Sequence, residues 1–334
     1  MKTLIIAEAG VNHNGSLQRA LEMVDVAAKM GADIIKFQTF IPEKLVTSSA
    51  PMADYQQKNL CESGSQYDML KSLSLSFDDF RAVAERCRKI GIEFISTPFD
   101  TESADFLHSI GMTCWKIPSG EITNLPYLRK IASFGQKIIM STGMCTIEEV
   151  EAAVNVIKAG AESITLLHCT TEYPAPYDSV NLKAMNTLRQ RFGYEVGYSD
   201  HTPGIEAAIA ATAMGAAVIE KHFTLDKTLP GPDHVASLDP RQFCEMVHAI
   251  RCTESMLGSG EKIPVAAELG NRAVARKSIV AARDIAAGEL FSAGNLEVKR
   301  PGTGISPMMW DSLMGKAAKH SYGKDQQIYE QELE

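Results

Sequence analysis

The chain has 334 residues, 45% hydrophobic and only 7% aromatic, enough to bury a substantial core and to form one large domain plus a small one. Its 33 basic residues are outnumbered by 41 acidic ones, giving a net charge of -8, and no Lys/Arg-rich run could track the phosphates of a duplex, which argues against nucleic acid as a partner. The apolar start "LIIA" is broken by Glu8 and no later segment is long enough to span a bilayer, so no membrane partner and a cytoplasmic location are expected.

Short β-rich runs follow one another along the chain: "TLIIAEAG", "DIIKFQT", "IEFISTPF", "TCWKIPSG", "KIIMSTG", "SITLLHC", "EVGYSD" and "AVIEKHF". Each precedes a stretch with helical apolar spacing. Ser16 opens the first helix, Thr146 with Glu149 forms a capping box, Pro203 and Pro240 suit first-turn positions, and Gly31, Gly91, Gly135, Gly160 and Gly215 stand where helices stop. Eight such units over roughly 250 residues predict an α/β fold, a (β/α)8 TIM barrel spanning residues 1–258. The stretch from Ile41 to Ser76 is too long for an ordinary βα loop and falls on the face where barrels build active sites, as a lid or a sugar-contacting excursion. Residues 259–276 read as a linker with some helix, and 277–334 as a small β-rich domain, marginal in size unless it packs on something. Seven Cys without C-x-x-C spacing point to reduced, mostly buried thiols rather than a disulfide frame.

Barrel chemistry sits at the C-terminal strand ends, and those ends read Glu8, Lys36 with Gln38, Thr97, Lys116 with Ser119 and Glu121, Ser141 with Thr142, His168, Ser199 with His201, and His222. One polar residue near a loop means little. Lys36, Lys116 and His222, however, lie among apolar neighbours where an unpaired charge or imidazole is costly to bury, so they need a ligand or each other. His201 and His222 end adjacent strands, within reach of one divalent cation, and leave positions open for a substrate oxygen. Asp200 or Glu121 would orient a ring or a bound water, although His201 could also be a simple turn residue. The two lysines with nearby hydroxyls suit a small phosphorylated anion; a strand-end lysine would also suit a Schiff-base aldolase, which the paired histidines disfavour.

The motifs "AEAGVNHNGS", "KFQT", "ISTPF", "WKIPSGE", "IIMSTGM", "LHCTTEYPAP", "GYSDHT", "EKHFTLDK", "GPDH" and "VKRPGTGISP" resemble the sialic acid synthase family, in order and over nearly the whole chain. The resemblance implies condensation of phosphoenolpyruvate with N-acetylmannosamine to give N-acetylneuraminate and phosphate by C–O cleavage. The alternative acceptor is 2,4-diacetamido-2,4,6-trideoxymannose, which would give N,N'-diacetyllegionaminate. It makes the tail an antifreeze-like (SAF) domain exchanged within a domain-swapped homodimer. It places a divalent metal, Mn²⁺ first and otherwise Co²⁺ or Mg²⁺, on His201 and His222, and phosphoenolpyruvate on Lys36, Lys116, Thr97, Ser119 and Ser199. Glu8, Gln38, Tyr173 and Asp233 would face the amino sugar, and Arg300 would reach the N-acetyl group in the partner's site. Glu121, near the metal, is the expected general base with Glu8 second. Thr171 departs from the family pattern, standing where some members carry Asn.

Overall fold

The computed structural model describes residues 2–60 and 64–333. The chain divides into two compact units, Met1–Gly258 and Ser259–Glu334. In the first, β1 (Leu4–Gly10), β2 (Ile34–Thr39), β3 (Glu93–Pro98), β4 (Cys114–Ile117), β5 (Lys137–Ser141), β6 (Ile164–Cys169), β7 (Glu195–Asp200) and β8 (Val218–His222) form one sheet. Its ladders are all parallel, in the order β3-β2-β1-β8-β7-β6-β5-β4, and β3 lies beside β4 to bring the sheet to near closure as a TIM-like barrel. Helices cover the outside, so the strands are buried on both faces, and this is why they read as apolar runs.

Local signals fix the helix ends. Ser16 and Thr146 are N-caps, the latter in a complete capping box with Glu149, and Pro240 is the first residue of the helix Pro240–Leu257. Pro203 does not begin a helix: the next one starts at Glu206 without a side-chain cap, and "HTPG" forms a bend instead. Gly91 ends its helix left-handed at φ 84°, whereas Gly160 is required by closeness, since a Cβ there would stand 2.3 Å from the Ala132 carbonyl oxygen.

After β2 the chain leaves the barrel for three short helices, Pro42–Leu45, Asp54–Leu60 and Gln66–Leu73, before the helix Phe77–Ile90 returns it to the barrel wall. This excursion carries its own small core, in which Leu45, Met69 and Leu70 pack on Val11, Phe40 and Leu73.

The second unit pairs β9 (Ser278–Ala281) with β10 (Leu296–Lys299) antiparallel and adds isolated bridges such as Ile285–Tyr322. Ile279, Phe291, Leu296, Leu313 and Ile328 form its core. The stretch 259–276 groups with this unit, and its helix Ala266–Ala275 is tied in where Gly302 N–H donates to the Ala273 carbonyl at 2.9 Å.

Candidate active site

Register decides which strand-end residues meet. Glu8 lies opposite Lys36 on one side and His222 on the other, Gln38 opposite Thr97, and Ser199 opposite Glu220. Their side chains converge on a cavity of about 370 Å³ at the C-terminal mouth, large enough for a small-molecule site.

Two buried ammonium groups dominate it. Lys36 Nζ is 2.8 Å from Glu8 Oε2, 3.3 Å from Thr97 Oγ1 and 3.7 Å from Glu220 Oε2. Burial depresses its pKa, but Glu220 and Glu8 outweigh burial and hold it above the ordinary lysine value. Lys116 Nζ donates to Ser141 Oγ at 2.6 Å and has Glu220 Oε1 3.7 Å away. Here burial prevails and the pKa falls below the ordinary value. An ammonium carries three donors, and Lys116 spends only one on a short hydrogen bond.

Glu220, which the sequence reading passed over, stands between the two lysines and accepts from Ser199 Oγ at 2.9 Å. Burial works to raise its pKa, yet Lys116 and Lys36 pull it down to about 2. The signal was present: Glu220 is two residues before His222 on one strand, and therefore on the same face. Among the described residues its Oε2 and that of Glu8 are buried with no partner but the lysine ammonium, 3.7 Å and 2.8 Å from Lys36 Nζ. Gln38 Nε2 donates to the other Glu8 oxygen at 3.1 Å.

The rings of His201 and His222 lie 5.6 Å apart, centre to centre. His201 Nδ1 is 2.6 Å from the Thr170 carbonyl, which can only accept, so Nδ1 carries the proton and Nε2 keeps its lone pair. Burial lowers the His201 pKa to about 4, and burial, with His201 and Lys36 adding to it, holds that of His222 well below the ordinary histidine value, so both imidazoles are neutral at pH 7. His222 Nδ1 is buried without a hydrogen bond, 3.9 Å from Asp233 Oδ2. Two neutral imidazoles, His201 oriented by a carbonyl and each with a ring nitrogen to offer, fit a divalent cation. Among the described residues no three His, Cys, Asp or Glu side chains converge to hold a metal, so water and substrate would have to complete its shell.

Tyr173 packs on His201 at 4.2 Å between ring centres, and Asp233, whose pKa burial raises to about 7, lines the same cavity. Ser119 borders it, its Oγ accepting from Gly143 N–H at 2.8 Å, and Thr171 does so with its Oγ1 buried and unpartnered. Of the sequence-derived set, Glu8, Lys36, Gln38, Thr97, Lys116, Ser119, Tyr173, Ser199, His201, His222 and Asp233 are thus brought together.

Others are not. Glu121 does not line the cavity; its carboxylate accepts from Asn124 Nδ2 at 2.6 Å. Asp200 orients neither histidine but pairs with Lys221 at 2.8 Å, while the Thr170 carbonyl orients His201. His168 and Thr142 face a separate cavity outside the mouth, with His168 Nε2 2.7 Å from the Val180 carbonyl. Arg300 belongs to the second unit.

A parallel barrel whose mouth joins a dianion-ready lysine pair to a neutral histidine pair defines a barrel enzyme acting on small anionic substrates. The chain belongs to the NeuB family, whose model matches residues 23–262, and residues 276–334 match the SAF domain. It is 50% identical over 332 residues to the N,N'-diacetyllegionaminic acid synthase of Campylobacter jejuni, covering 98% of this chain and 99% of that one. With the enzyme of the same name from Legionella pneumophila the identity is 51% over 320 residues, covering 94% and 90%. The crystal structure of N-acetylneuraminic acid synthetase from Leptospira borgpetersenii, in complex with citrate, superposes with a TM-score of 0.71 at 34% identity, covering 81% of this chain and 90% of that one. The chain is accordingly a transferase of the sialic acid synthase type, forming a C–C bond from phosphoenolpyruvate.

Proposed function

We propose that the acceptor is 2,4-diacetamido-2,4,6-trideoxymannose and the product N,N'-diacetyllegionaminate, with release of phosphate. The observation that carries this reading is the 50% and 51% identity, over nearly the full length, to two diacetyllegionaminic acid synthases, against 34% to an N-acetylneuraminic acid synthetase. These identities favour the alternative acceptor over N-acetylmannosamine.

The cavity suggests how its residues divide the work. Lys36 and Lys116, with Thr97, Ser119 and Ser199, hold the carboxylate and phosphate of phosphoenolpyruvate and offset charge throughout. Glu8, Gln38, Tyr173 and Asp233 orient the open-chain sugar so that its aldehyde meets C3 of phosphoenolpyruvate. A divalent cation on His201 and His222, Mn²⁺ or otherwise Co²⁺ or Mg²⁺, would supply Lewis-acid polarisation of that aldehyde. C3 bonds to the aldehyde carbon, whose oxygen takes a proton, and C2 is left cationic; water adds at C2, giving up a proton to a base, and the tetrahedral adduct loses phosphate by C–O cleavage to leave the C2 ketone. Burial raises the pKa of both Glu8 and Glu121, which suits a base, but only Glu8 lines the cavity and it takes the role here.

The deciding assay supplies phosphoenolpyruvate with each acceptor in turn and measures phosphate release and product mass. A kcat/KM higher for N-acetylmannosamine would overturn the acceptor assignment. The swapped homodimer, with Arg300 completing the partner's site, is likewise a proposal. Co-expressed His201→Ala and Arg300→Ala chains should recover about a quarter of wild-type sites by random pairing, and no recovery in verified heterodimers would refute it.

A further inference from the structure

The cavity does not end at the charged groups. Its other lobe is walled by Phe40 and Phe99, just past β2 and β3, and by Leu45, Val46, Met69 and Leu70 of the excursion. The lobe adjoins the histidine pair through aromatic contacts: Tyr55 packs on Tyr173 at 5.0 Å, and Tyr173 packs on His201. The excursion is pinned over the mouth where Asn59 Nδ2 donates to the Pro232 carbonyl at 2.7 Å, beside Asp233.

Polar groups in this lobe are few and mostly committed. The Gln56 amide accepts from Ala53 N–H at 2.9 Å and donates to Tyr55 Oη at 3.3 Å. Gln66 lines the lobe, and its side-chain amide makes no hydrogen bond among the described residues.

We propose that this lobe receives the C4–C6 end of the acceptor and is built for a methyl at C6 and an acetamido group at C4. The inference rests on the acceptor reading above and assigns it to residues. A C6 hydroxyl would enter a wall of hydrocarbon and thioether side chains and lose its water without a replacement, whereas a methyl gains by the same burial. An acetamido group presents a methyl to that wall and a donor and an acceptor to one amide partner. The free Gln66 amide offers both. A hydroxyl at C4 would use less of it and leave the wall uncovered.

The test uses four acceptors: 2-acetamido-2-deoxymannose, its 6-deoxy form, its 4-acetamido-4-deoxy form, and the sugar carrying both changes. Their kcat/KM values are compared in wild type, Leu70→Ser and Gln66→Leu, with the KM for phosphoenolpyruvate followed throughout. Leu70→Ser should lower the preference for 6-deoxy over 6-hydroxy acceptors at least tenfold, because a methyl-sized difference in an apolar pocket is worth about 10–200-fold. Gln66→Leu should lower the preference for 4-acetamido over 4-hydroxy acceptors by a similar factor. Both variants should keep the KM for phosphoenolpyruvate within twofold. An equal loss with all four acceptors, or a change in phosphoenolpyruvate KM instead, overturns the inference while leaving the acceptor reading standing. A wild-type preference for 2-acetamido-2-deoxymannose overturns both, and shows before any variant is made. If Leu70→Ser fails to fold by circular dichroism, Gln66→Leu, whose side chain is only half-buried, carries the test alone.

Discussion

Neighbouring residues of β8 hold two buried lysine–carboxylate arrangements that differ in one respect. On the inward face Glu220 stands 3.7 Å from both Lys36 and Lys116, and one of its oxygens lacks a hydrogen bond. On the outward face Lys221 meets Asp200 at 2.8 Å and the Thr202 carbonyl at 2.5 Å, while Asp200 also accepts from Thr202 N–H at 2.9 Å. Lys36, Lys116, Glu220, Lys221 and Asp200 are all almost wholly buried, so burial does not tell the two groups apart. Satisfaction does: the outward pair is closed on itself, whereas the inward cluster has spare donors and opens on the cavity. A buried charge left half-served beside a cavity has capacity left for a ligand; one fully served is tied into the fold.

The largest effect that would separate the two faces is metal removal, because His222 shares the inward face with Glu220. Chelation should abolish turnover, and Mn²⁺, Co²⁺ or Mg²⁺ should restore it, while the chain stays folded by circular dichroism because the outward pair is untouched. Full turnover in a demonstrably metal-free preparation would break the assignment. Next come the lysines themselves. Lys116→Met should lower kcat/KM for phosphoenolpyruvate by about 10³-fold with little change in Tm, the scale of losing a preorganised charge donor. Lys221→Met should strand the Asp200 carboxylate and cost about 3–5 kcal/mol in urea unfolding, with KM for phosphoenolpyruvate nearly unchanged in the folded fraction. If the two variants exchange these phenotypes, the distinction between the faces is wrong.

A smaller effect concerns pH. Lys116 must be protonated to hold an anion, and burial already lowers its pKa, with Lys36 lowering it further and Glu220 opposing them. In Glu220→Gln the opposing charge is gone, so the Lys116 pKa falls again. The alkaline limb of kcat/KM for phosphoenolpyruvate should therefore move to lower pH, read from a pH–rate profile. An unmoved limb would show that Glu220 does not support Lys116.

The same contrast explains what was legible in the sequence. Strands buried on both faces leave apolar runs such as "KIIMS", and "EVGYSD" coincides with β7. The histidine and lysine pairs were legible because each stands out among apolar neighbours. Glu220 was not, since in "VIEKHF" it adjoins a second charge and only the two-residue period of a strand separates the inward carboxylate from the outward ammonium. That a residue ends a strand does not say which face it takes, and so His168 and Thr142 were grouped with a mouth they do not enter. Asp200 was assigned by adjacency to His201, but its partner is 21 residues away on the neighbouring strand. The apolar lobe was beyond reading because its wall joins residues just past β2 and β3 to residues of short helices with no common period.

The smallest predicted effect carries no charge at all and probes the wall opposite β8. Gly143 follows β5, and its N–H donates to Ser119 Oγ at 2.8 Å. A Cβ there would stand 2.3 Å from Thr171 Oγ1 and 2.9 Å from Cys169 Sγ, too close for either, and a tight 3.0 Å from Ser119 Oγ. Cys169 is buried in β6 and has little room to yield, so Thr171 and Ser119 must move. Both border the cavity, and Thr171 Oγ1 has no hydrogen bond of its own to lose. Gly143→Ala should therefore raise the KM for phosphoenolpyruvate about tenfold, the scale of one displaced hydrogen bond, and destabilise the fold by about 1–3 kcal/mol through overpacking. The pH profile should stay where it is, because neither lysine nor Glu220 is touched. Steady-state kinetics across pH would check this: a fall in kcat at unchanged KM would place Ser119 and Thr171 off the phosphoenolpyruvate anion. A shifted alkaline limb would mean that the polar wall and the charged cluster are not independent.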